Sequence, residues 1–511
     1  MSACWVFRDA GLDAVFRLAS YLALVLKPGD AIALNGELGA GKTTFARGVI
    51  SALLEDPNRE IPSPTFALMQ TYEEGRLPLA HIDCYRIEGG QELREIGLGN
   101  ALGEGAVLIE WAERVDDLLP RDRLDIAFCD GAHEDTRTLT LAGQGEWRER
   151  LARLRAMYEF CAASPWAGAR PVFLQGDAST RSYARLHLDG ETVILMDAPA
   201  QRDGPPIRDG KSYSQLVHLA EDVKPFVAVA RALKQAGVNV PGILAHDLAN
   251  GFLIIEDLGN RLFADEAGDS PALDELYEAA TDVLVALQAR RPAGKLPLPD
   301  GGVHSLARFD ARALKIEAEL LLDWFYPAVR GREADAETRE KFDYAFGALF
   351  EMLDKQGSAW VLRDYHSPNL LWLPEREGVA RVGVIDFQDA VAGHAAYDLV
   401  SLLQDARRDI PAALEGRLYA RYCDAWKARN SGFDGQAFST CYAALGAQRN
   451  CKILGIFARL AKRDGKPGYL AHIPRVSAYL ERDLAHPALE RLRAWFAAHL
   501  PADMRAKPLD I

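Results

Sequence analysis

The segment Gly36-Glu37-Leu38-Gly39-Ala40-Gly41-Lys42-Thr43 limits what this chain can fold into more than any other stretch. It fits G-x-x-x-x-G-K-[ST] and lies between a short apolar run, Ala31-Ile32-Ala33-Leu34, and a helical pattern that starts at Thr43 with Phe45, Ala46, Val49, Ile50, Leu53 and Leu54 on one face. A glycine-rich loop between a buried strand and a helix can curl until its N–H groups point at phosphate oxygens, and the helix adds the positive end of its dipole. Gly36, Gly39 and Gly41 supply the curl. Lys42 is expected to reach the β- and γ-phosphates of ATP, the Thr43 hydroxyl to ligate Mg2+, and Thr44 to join the nucleotide-binding residues.

The surrounding pattern agrees with a mostly parallel sheet flanked by helices. Leu12, Val15, Phe16, Ala19, Leu22 and Leu26 recur at helical spacing until Pro28-Gly29 stops them. Strands are expected over 66–72, 79–84, 107–110, 124–129 and 136–141, the last two flanking the turn at Asp130-Gly131. The pattern breaks at Gly143-Gln144-Gly145, which places a first domain over 1–145 and a second over 146–511, opened by a helix from Arg148 to Phe160. A chain of 511 residues needs two or three domains, and no internal repeat relates the halves.

Composition removes several classes of function. Hydrophobic residues at 49% and charged residues at 26% are ordinary for soluble proteins, and neither a membrane-spanning run nor a secretory leader is visible. A cytoplasmic location is therefore expected. The net charge of −14 argues against stable nucleic-acid binding, which needs a surplus of Lys and Arg on one face. Seven scattered cysteines without a C-x-x-C pair read as reduced thiols.

Three further signatures follow the phosphate loop: Ser63-Pro64-Thr65-Phe66, His81-Ile82-Asp83-Cys84-Tyr85-Arg86 and Ile109-Glu110-Trp111. Together with the loop they resemble the TsaE family over roughly residues 5 to 142, the small ATPase of the bacterial machinery that installs threonylcarbamoyl on tRNA adenosine. The resemblance implies that Thr65 lies in a switch-like loop near the γ-phosphate, that Asp83 positions or activates water, and that Glu110 helps hold magnesium. It also implies the threonylcarbamoyl transferase and its paralogous subunit as partners. A carboxylate ending an apolar strand, as in Val107-Leu108-Ile109-Glu110, is where such a fold places a metal-linked acid.

The second half has its own constellation. A hairpin-like stretch from Gly176 to Leu186 is followed by a strand over 192–196 and a helix over 226–235. The apolar run Phe252-Leu253-Ile254-Ile255 then ends in Glu256-Asp257-Leu258-Gly259, which looks like a hinge for adenine, with Glu256 and Asp257 at the nucleotide. Helical patterns from Leu273 onward suggest a mainly helical lower lobe. Further on come Arg363-Asp364-Tyr365-His366-Ser367-Pro368-Asn369 and the strand Val382-Gly383-Val384-Ile385 before Asp386-Phe387. D-x-x-x-x-N alone arises by chance about once in a chain of this size. The strand-borne acid that follows gives it meaning: Asp364 accepts the proton of an attacking hydroxyl, while Asn369 and Asp386 hold magnesium at the phosphates.

These features resemble the aminoglycoside-phosphotransferase and choline-kinase superfamily across about residues 165 to 500, which implies a bilobal protein-kinase-like domain after the P-loop domain. Within that superfamily, Ala178 to Tyr183, Leu195-Met196-Asp197-Ala198-Pro199 and Arg363-Asp364-Tyr365-His366 look most like the kinases that phosphorylate the anomeric hydroxyl of N-acetylmuramate or N-acetylglucosamine in cell-wall recycling. An amino sugar is the implied acceptor. Met196 stands where a kinase carries its phosphate-binding lysine, a role that Arg181 or Arg185 is expected to fill. An aminoglycoside- or choline-type kinase, and a nucleotide-binding regulatory pseudokinase, stay open as alternatives from the residues alone.

Overall fold

The computed structural model describes the chain apart from residues 1–3, 88–91, 93–94, 176–180, 202, 267–272, 356–357, 508 and 510–511. The start of the expected hairpin, at 176–180, therefore lies outside the described residues. The chain forms two compact units, Met1–Pro199 with Leu244–Asp257, and Ala200–Ile243 with Leu258–Ile511.

The first unit contains a seven-stranded sheet built from β1 (Cys4–Ala10), β2 (Ala31–Gly36), β3 (Met69–Tyr72), β4 (Leu79–Asp83), β5 (Ala106–Glu110), β6 (Arg123–Asp130) and β7 (Arg137–Gly143), in the order β1-β7-β6-β2-β5-β4-β3. β2 lies parallel to β5 and β6, and β4 parallel to β5, while β1, β3 and β7 pair antiparallel with their neighbours. Central parallel strands are covered on both faces and therefore read as unbroken apolar runs. Ile32, Leu34 and Leu108 enter one core with Phe45, Val49 and Leu22, whereas Ala33, Val107 and Ile109 enter another with Ile82 and Ala112. The helices α1 (Leu12–Val25) and α2 (Lys42–Leu54) carry the apolar faces that the spacing anticipates. The strand expected over 66–72 is shorter: Phe66 is exposed and lies in a turn, and pairing begins at Met69.

After the short α3 (Leu98–Glu104), the helix α4 (Trp147–Ala162) falls where the sequence suggests a helix. Arg150 donates to both oxygens of Asp30 at 2.5 and 2.6 Å, just ahead of β2, and one turn later Arg153 pairs with Asp197 and lies 4.5 Å from the centre of the Phe252 ring. Asp197 and Phe252 belong to a five-stranded sheet of β8 (Arg170–Leu174), β9 (Ser182–Leu188), β10 (Glu191–Asp197), β11 (Ile243–Asp247) and β12 (Phe252–Glu256), ordered β11-β12-β10-β9-β8. Leu151 and Leu154 of α4 share one continuous core with Leu34 and Ile126 of the larger sheet and with Leu186, Leu195 and Ile254 of the smaller one.

The second unit is mainly helical, with α5 (Tyr213–Val217), α6 (Lys224–Gln235), α7 (Leu273–Gln288), α8 (Ala311–Leu320), α9 (Ala336–Asp354), α10 (Ala396–Leu403), α11 (Ala412–Arg429), α12 (Gly435–Asp464), α13 (Ile473–Leu484) and α14 (Glu490–His499). Three two-stranded ribbons punctuate it: β13 (Lys295–Pro297) with β14 (Val303–Ser305), β15 (Ala359–Val361) with β18 (Val391–Gly393), and β16 (Leu370–Trp372) with β17 (Val382–Val384). Among the described residues no helix is long and apolar enough to cross a membrane.

Candidate active sites

The phosphate loop turns at Gly36 with φ +146, where a Cβ would stand 2.7 Å from the Phe128 carbonyl oxygen, and enters α2 at Gly41 with φ +104. Only glycine takes both conformations at low cost. The amides of Lys42, Thr43 and Thr44 occupy the first turn of α2, where helix geometry gives them no intrahelical acceptor, so they make an anion cradle. The Lys42 ammonium is buried, donates to the carbonyls of Gly36 and Glu37 at 2.6 and 2.9 Å, and sits 3.5 Å from the centre of the Trp111 ring. Burial holds this amine below the usual lysine range, against the pull of Glu110, Glu113 and Asp83.

The strand ends beside the loop carry the acids. β4 and β5 run in a register that sets Asp83 opposite Glu110, and both side chains are buried. The Thr43 hydroxyl donates to Glu110 Oε2 at 2.8 Å, and the buried His81 ring shares a 2.8 Å hydrogen bond with Glu110 Oε1. Asp83 accepts from the Thr65 hydroxyl at 2.8 Å and from the Tyr85 amide at 2.9 Å, and Ser63 joins the Thr65 hydroxyl at 2.9 Å. The structure thus places two bonded pairs, Thr43 with Glu110 and Thr65 with Asp83, at neighbouring strand ends, with the Lys42 ammonium near enough to be attracted by both acids. His81 falls in the same signature as Asp83, and its place two residues before that acid, on the same face of β4, is the signal that marks it.

In the second unit, the loop after β15 carries Asp364 and the β16–β17 ribbon fixes Asn369 against the segment that ends in Asp386. Leu370 pairs with Val384, and the Ile385 amide donates to the Asn369 carbonyl at 3.0 Å. The Asn369 amide nitrogen donates to the Asp364 carbonyl at 2.9 Å, which leaves Oδ1 as the atom suited to a cation. Asp386 has φ +58 and accepts from Gln388 at 2.9 Å, while Phe387 packs on Phe226 with ring centres 4.8 Å apart. Two buried carboxylates hold the loop's backbone: Asp398 accepts from the Leu362 and Arg363 amides at 2.7 and 3.0 Å, and Asp405 from Ser367 at 2.8 Å. Burial alone would push Asp364 up, but Lys452, His366, Arg363 and Arg449 outweigh it and hold its carboxyl below the usual range. That keeps it ionised at neutral pH, as a proton acceptor must be.

Both donor sets are hard oxygens, a carboxylate with a hydroxyl or an amide oxygen. Mg2+ is commonly held by one or two such groups plus phosphate oxygens, so the residues fit this ion. Among the described residues no group of three or more His, Cys, Asp or Glu side chains is placed to hold a metal ion unaided.

On the smaller sheet of the first unit, Met196 is buried and paired with Tyr183 and Leu253. Glu256 closes β12 opposite Val193, and the Asp257 carboxylate takes both prongs of the Arg185 guanidinium at 2.6 and 3.2 Å.

Comparison with known proteins divides the chain into two stretches, the second of which begins inside the first compact unit. The model of threonylcarbamoyl adenosine biosynthesis protein TsaE matches residues 10–139, and that of the phosphotransferase enzyme family matches residues 172–432. An N-acetylmuramate/N-acetylglucosamine kinase of Caulobacter vibrioides is 40% identical over 364 residues, 69% of this chain and 98% of its own length. A kinase of the same name from Pseudomonas aeruginosa is 36% identical over 343 residues, 65% of this chain and 90% of its own. The tRNA threonylcarbamoyladenosine biosynthesis protein TsaE of Bacillus subtilis is 40% identical over 146 residues, 28% of this chain and 89% of its own. The chain belongs to the phosphotransferase enzyme family and, through its first part, to the TsaE family. Its fold is accordingly an α/β P-loop region followed by an aminoglycoside-phosphotransferase, kinase-like region, and both families use ATP. For the phosphotransferase part, the motif marks the loop that carries Asp364 and gives no sign of Glu317, which is fully buried, or of Lys452 beside it, because both lie on helices with no motif.

Proposed function

We propose that this chain is a bifunctional ATP-dependent enzyme, an ATPase that supports threonylcarbamoyl modification of tRNA adenosine fused to a kinase for the anomeric hydroxyl of N-acetylmuramate or N-acetylglucosamine. One observation supports the reading: Asp364, Asn369 and Asp386, the residues we take as base and cation ligands, stand together in one compact unit, and the glycine-rich loop with Lys42 and Thr43 stands in the other. We take residues 1–145 and 146–511 as the two functional regions.

In the kinase, Asp364 accepts the proton of the sugar hydroxyl as it attacks, and Asn369 and Asp386 hold Mg2+ against the phosphates. Magnesium supplies neutralisation of the charge that builds on the transferring group. We assign Glu256 and Asp257 to the adenine side, and Arg181 or Arg185 to the phosphate role of the lysine that Met196 replaces, Arg185 only once it releases the Asp257 carboxylate. In the ATPase, Gly36, Gly39, Gly41, Lys42, Thr43 and Thr44 hold the phosphates, Thr43 and Glu110 hold Mg2+, Thr65 senses the γ-phosphate, and Asp83 orients water. Hydrolysis serves the threonylcarbamoyl transferase and its paralogous subunit rather than tRNA directly. Use of ATP by both halves supports a cytoplasmic location.

Phosphorylation at the anomeric hydroxyl removes the reducing end. With either sugar, a reducing-sugar assay should lose signal in step with ATP consumption. ATP consumption with the reducing end intact would mean transfer to another hydroxyl and would refute the anomeric assignment. The ATPase reading predicts slow hydrolysis that rises as the transferase subunits are titrated in, and a flat titration contradicts it.

A further inference from the structure

Arg363 stands immediately before Asp364 with φ +72, a left-handed backbone that a non-glycine residue takes at a cost and keeps only when its surroundings hold it. Those surroundings converge from three helices and the segment that carries Phe309. Its amide donates to Asp398 of α10 at 3.0 Å, and its carbonyl accepts from Ser401 of the same helix at 3.3 Å. Its guanidinium donates to the Val217 carbonyl of α5 at 2.7 Å and to Glu317 of α8, and lies 5.1 Å from the centre of the Phe309 ring. Glu317 in turn receives Lys452 of α12 at 2.9 Å and Gln448 of the same helix at 3.4 Å. Arg363 and Glu317 are 2% and 0% exposed, so this is a fully buried ion pair whose carboxylate also faces a second, partly buried cation, Lys452.

Stability does not explain it. A buried ion pair generally contributes no more than well-packed apolar residues of similar volume, and glycine would accept the backbone angle more cheaply than arginine. What an arginine anchored at both ends does provide is a fixed backbone one residue before the base. We infer that Glu317, which no motif marks, is a positioning residue for phosphoryl transfer, acting through the Arg363 guanidinium on the loop that aims Asp364 at the acceptor hydroxyl. The inference rests on the kinase reading. Lys452 keeps Glu317 partnered when Arg363 is removed, so the linkage can be cut from the Arg363 side without leaving an isolated buried charge.

The test uses the full chain with ATP and N-acetylglucosamine or N-acetylmuramate. Glu317→Gln is expected to lower kcat about 30- to 100-fold, since a misplacement of about 1 Å can cost ~10²-fold, with KM for ATP within about twofold of wild type. Arg363→Gly should fall by a similar factor, and the double variant should be no worse than Arg363→Gly, because both cut one linkage. Glu317→Asp, which keeps the charge, should recover part of the loss. A kcat for Glu317→Gln within about threefold of wild type, KM for ATP rising in step with the loss, or losses that multiply in the double variant would overturn the inference. Where Glu317→Gln shows no cooperative thermal transition, Arg363→Gly decides, and a near-normal kcat there refutes it. A wild-type chain inert toward both sugars refutes the kinase reading instead.

Discussion

The Lys42 ammonium donates to carbonyls six and five residues before it, whereas the loop that carries Asp364 is tied to Asp398, 36 residues from Leu362, and to Val217, 146 residues from Arg363. The phosphate loop closes on itself. Apart from Thr65, two strand-end acids and the Trp111 ring, the groups that define it are written in nine consecutive residues, Gly36 to Thr44. The loop that carries Asp364 is short too, but its conformation is imposed from elsewhere by buried carboxylates, Asp398 on α10, Asp405 just past that helix and Glu317 on α8. Of the two proposed phosphate sites, the first should therefore depend most on its own short stretch, and the second as much on residues remote in sequence.

The largest expected effect falls on Asp364, the proposed base. Asp364→Asn keeps size and polarity but removes the proton acceptor, so sugar phosphorylation should drop by about 10³-fold while nucleotide binding persists. Near-normal turnover would show that the base has been misplaced. Next comes Thr43→Val, which removes both the hydroxyl meant for magnesium and its 2.8 Å bond to Glu110. ATP hydrolysis should fall by about 10²-fold, and the magnesium concentration for half-maximal nucleotide binding should rise. Unchanged magnesium dependence would break the pairing of Thr43 with Glu110.

The scaffold of the second unit has a pH signature of its own. Burial pushes the His394 imidazole down to about 4 from its ordinary 6.5, and its Nδ1 accepts from the Ala396 amide at 3.2 Å. Below pH 6.5 the unfolded chain takes up a proton that the folded chain refuses, so stability is full above that value and declines as pH falls toward 4. Between pH 7 and 5 the loss is about 2 kcal/mol, readable from denaturant titrations. In His394→Asn, whose side-chain oxygen can take over the amide contact, most of that slope should vanish; a slope equal to wild type contradicts the assignment. The smallest effect belongs to His81. Its bond to Glu110 orients a proposed metal ligand without touching phosphate, so His81→Gln should lower magnesium affinity by about tenfold. No change would make it a packing residue.

How much of this was legible in sequence follows the same division. The phosphate loop, its strand and its helix could be placed because glycine, lysine and threonine at fixed spacing encode their geometry locally. Asp364, Asn369 and Asp386 could be named for the same reason. The edge strands β1 and β8 escaped because Cys4–Ala10 and Arg170–Leu174 mix polar and apolar residues, and such segments become strands only through their partners. Phe66 looked like strand and is an exposed turn residue, since aromatic character does not separate a strand from a surface loop. Glu317 and Lys452 were illegible because a buried charge on a long amphipathic helix resembles any solvated one until the tertiary partners are known. Asp257 was read as an adenine-side residue, and its carboxylate is occupied by Arg185, a pairing across 72 residues that no local pattern announces.

The central claim is that one chain holds two phosphate sites that work independently, and crossed variants test it most directly. Lys42→Ala and Asp364→Asn are each assayed in the full chain for transferase-stimulated ATP hydrolysis and for loss of the sugar's reducing end. The account predicts that Lys42→Ala abolishes the first and leaves the second within about twofold of wild type, and that Asp364→Asn does the reverse. Loss of both activities in either folded variant would contradict it.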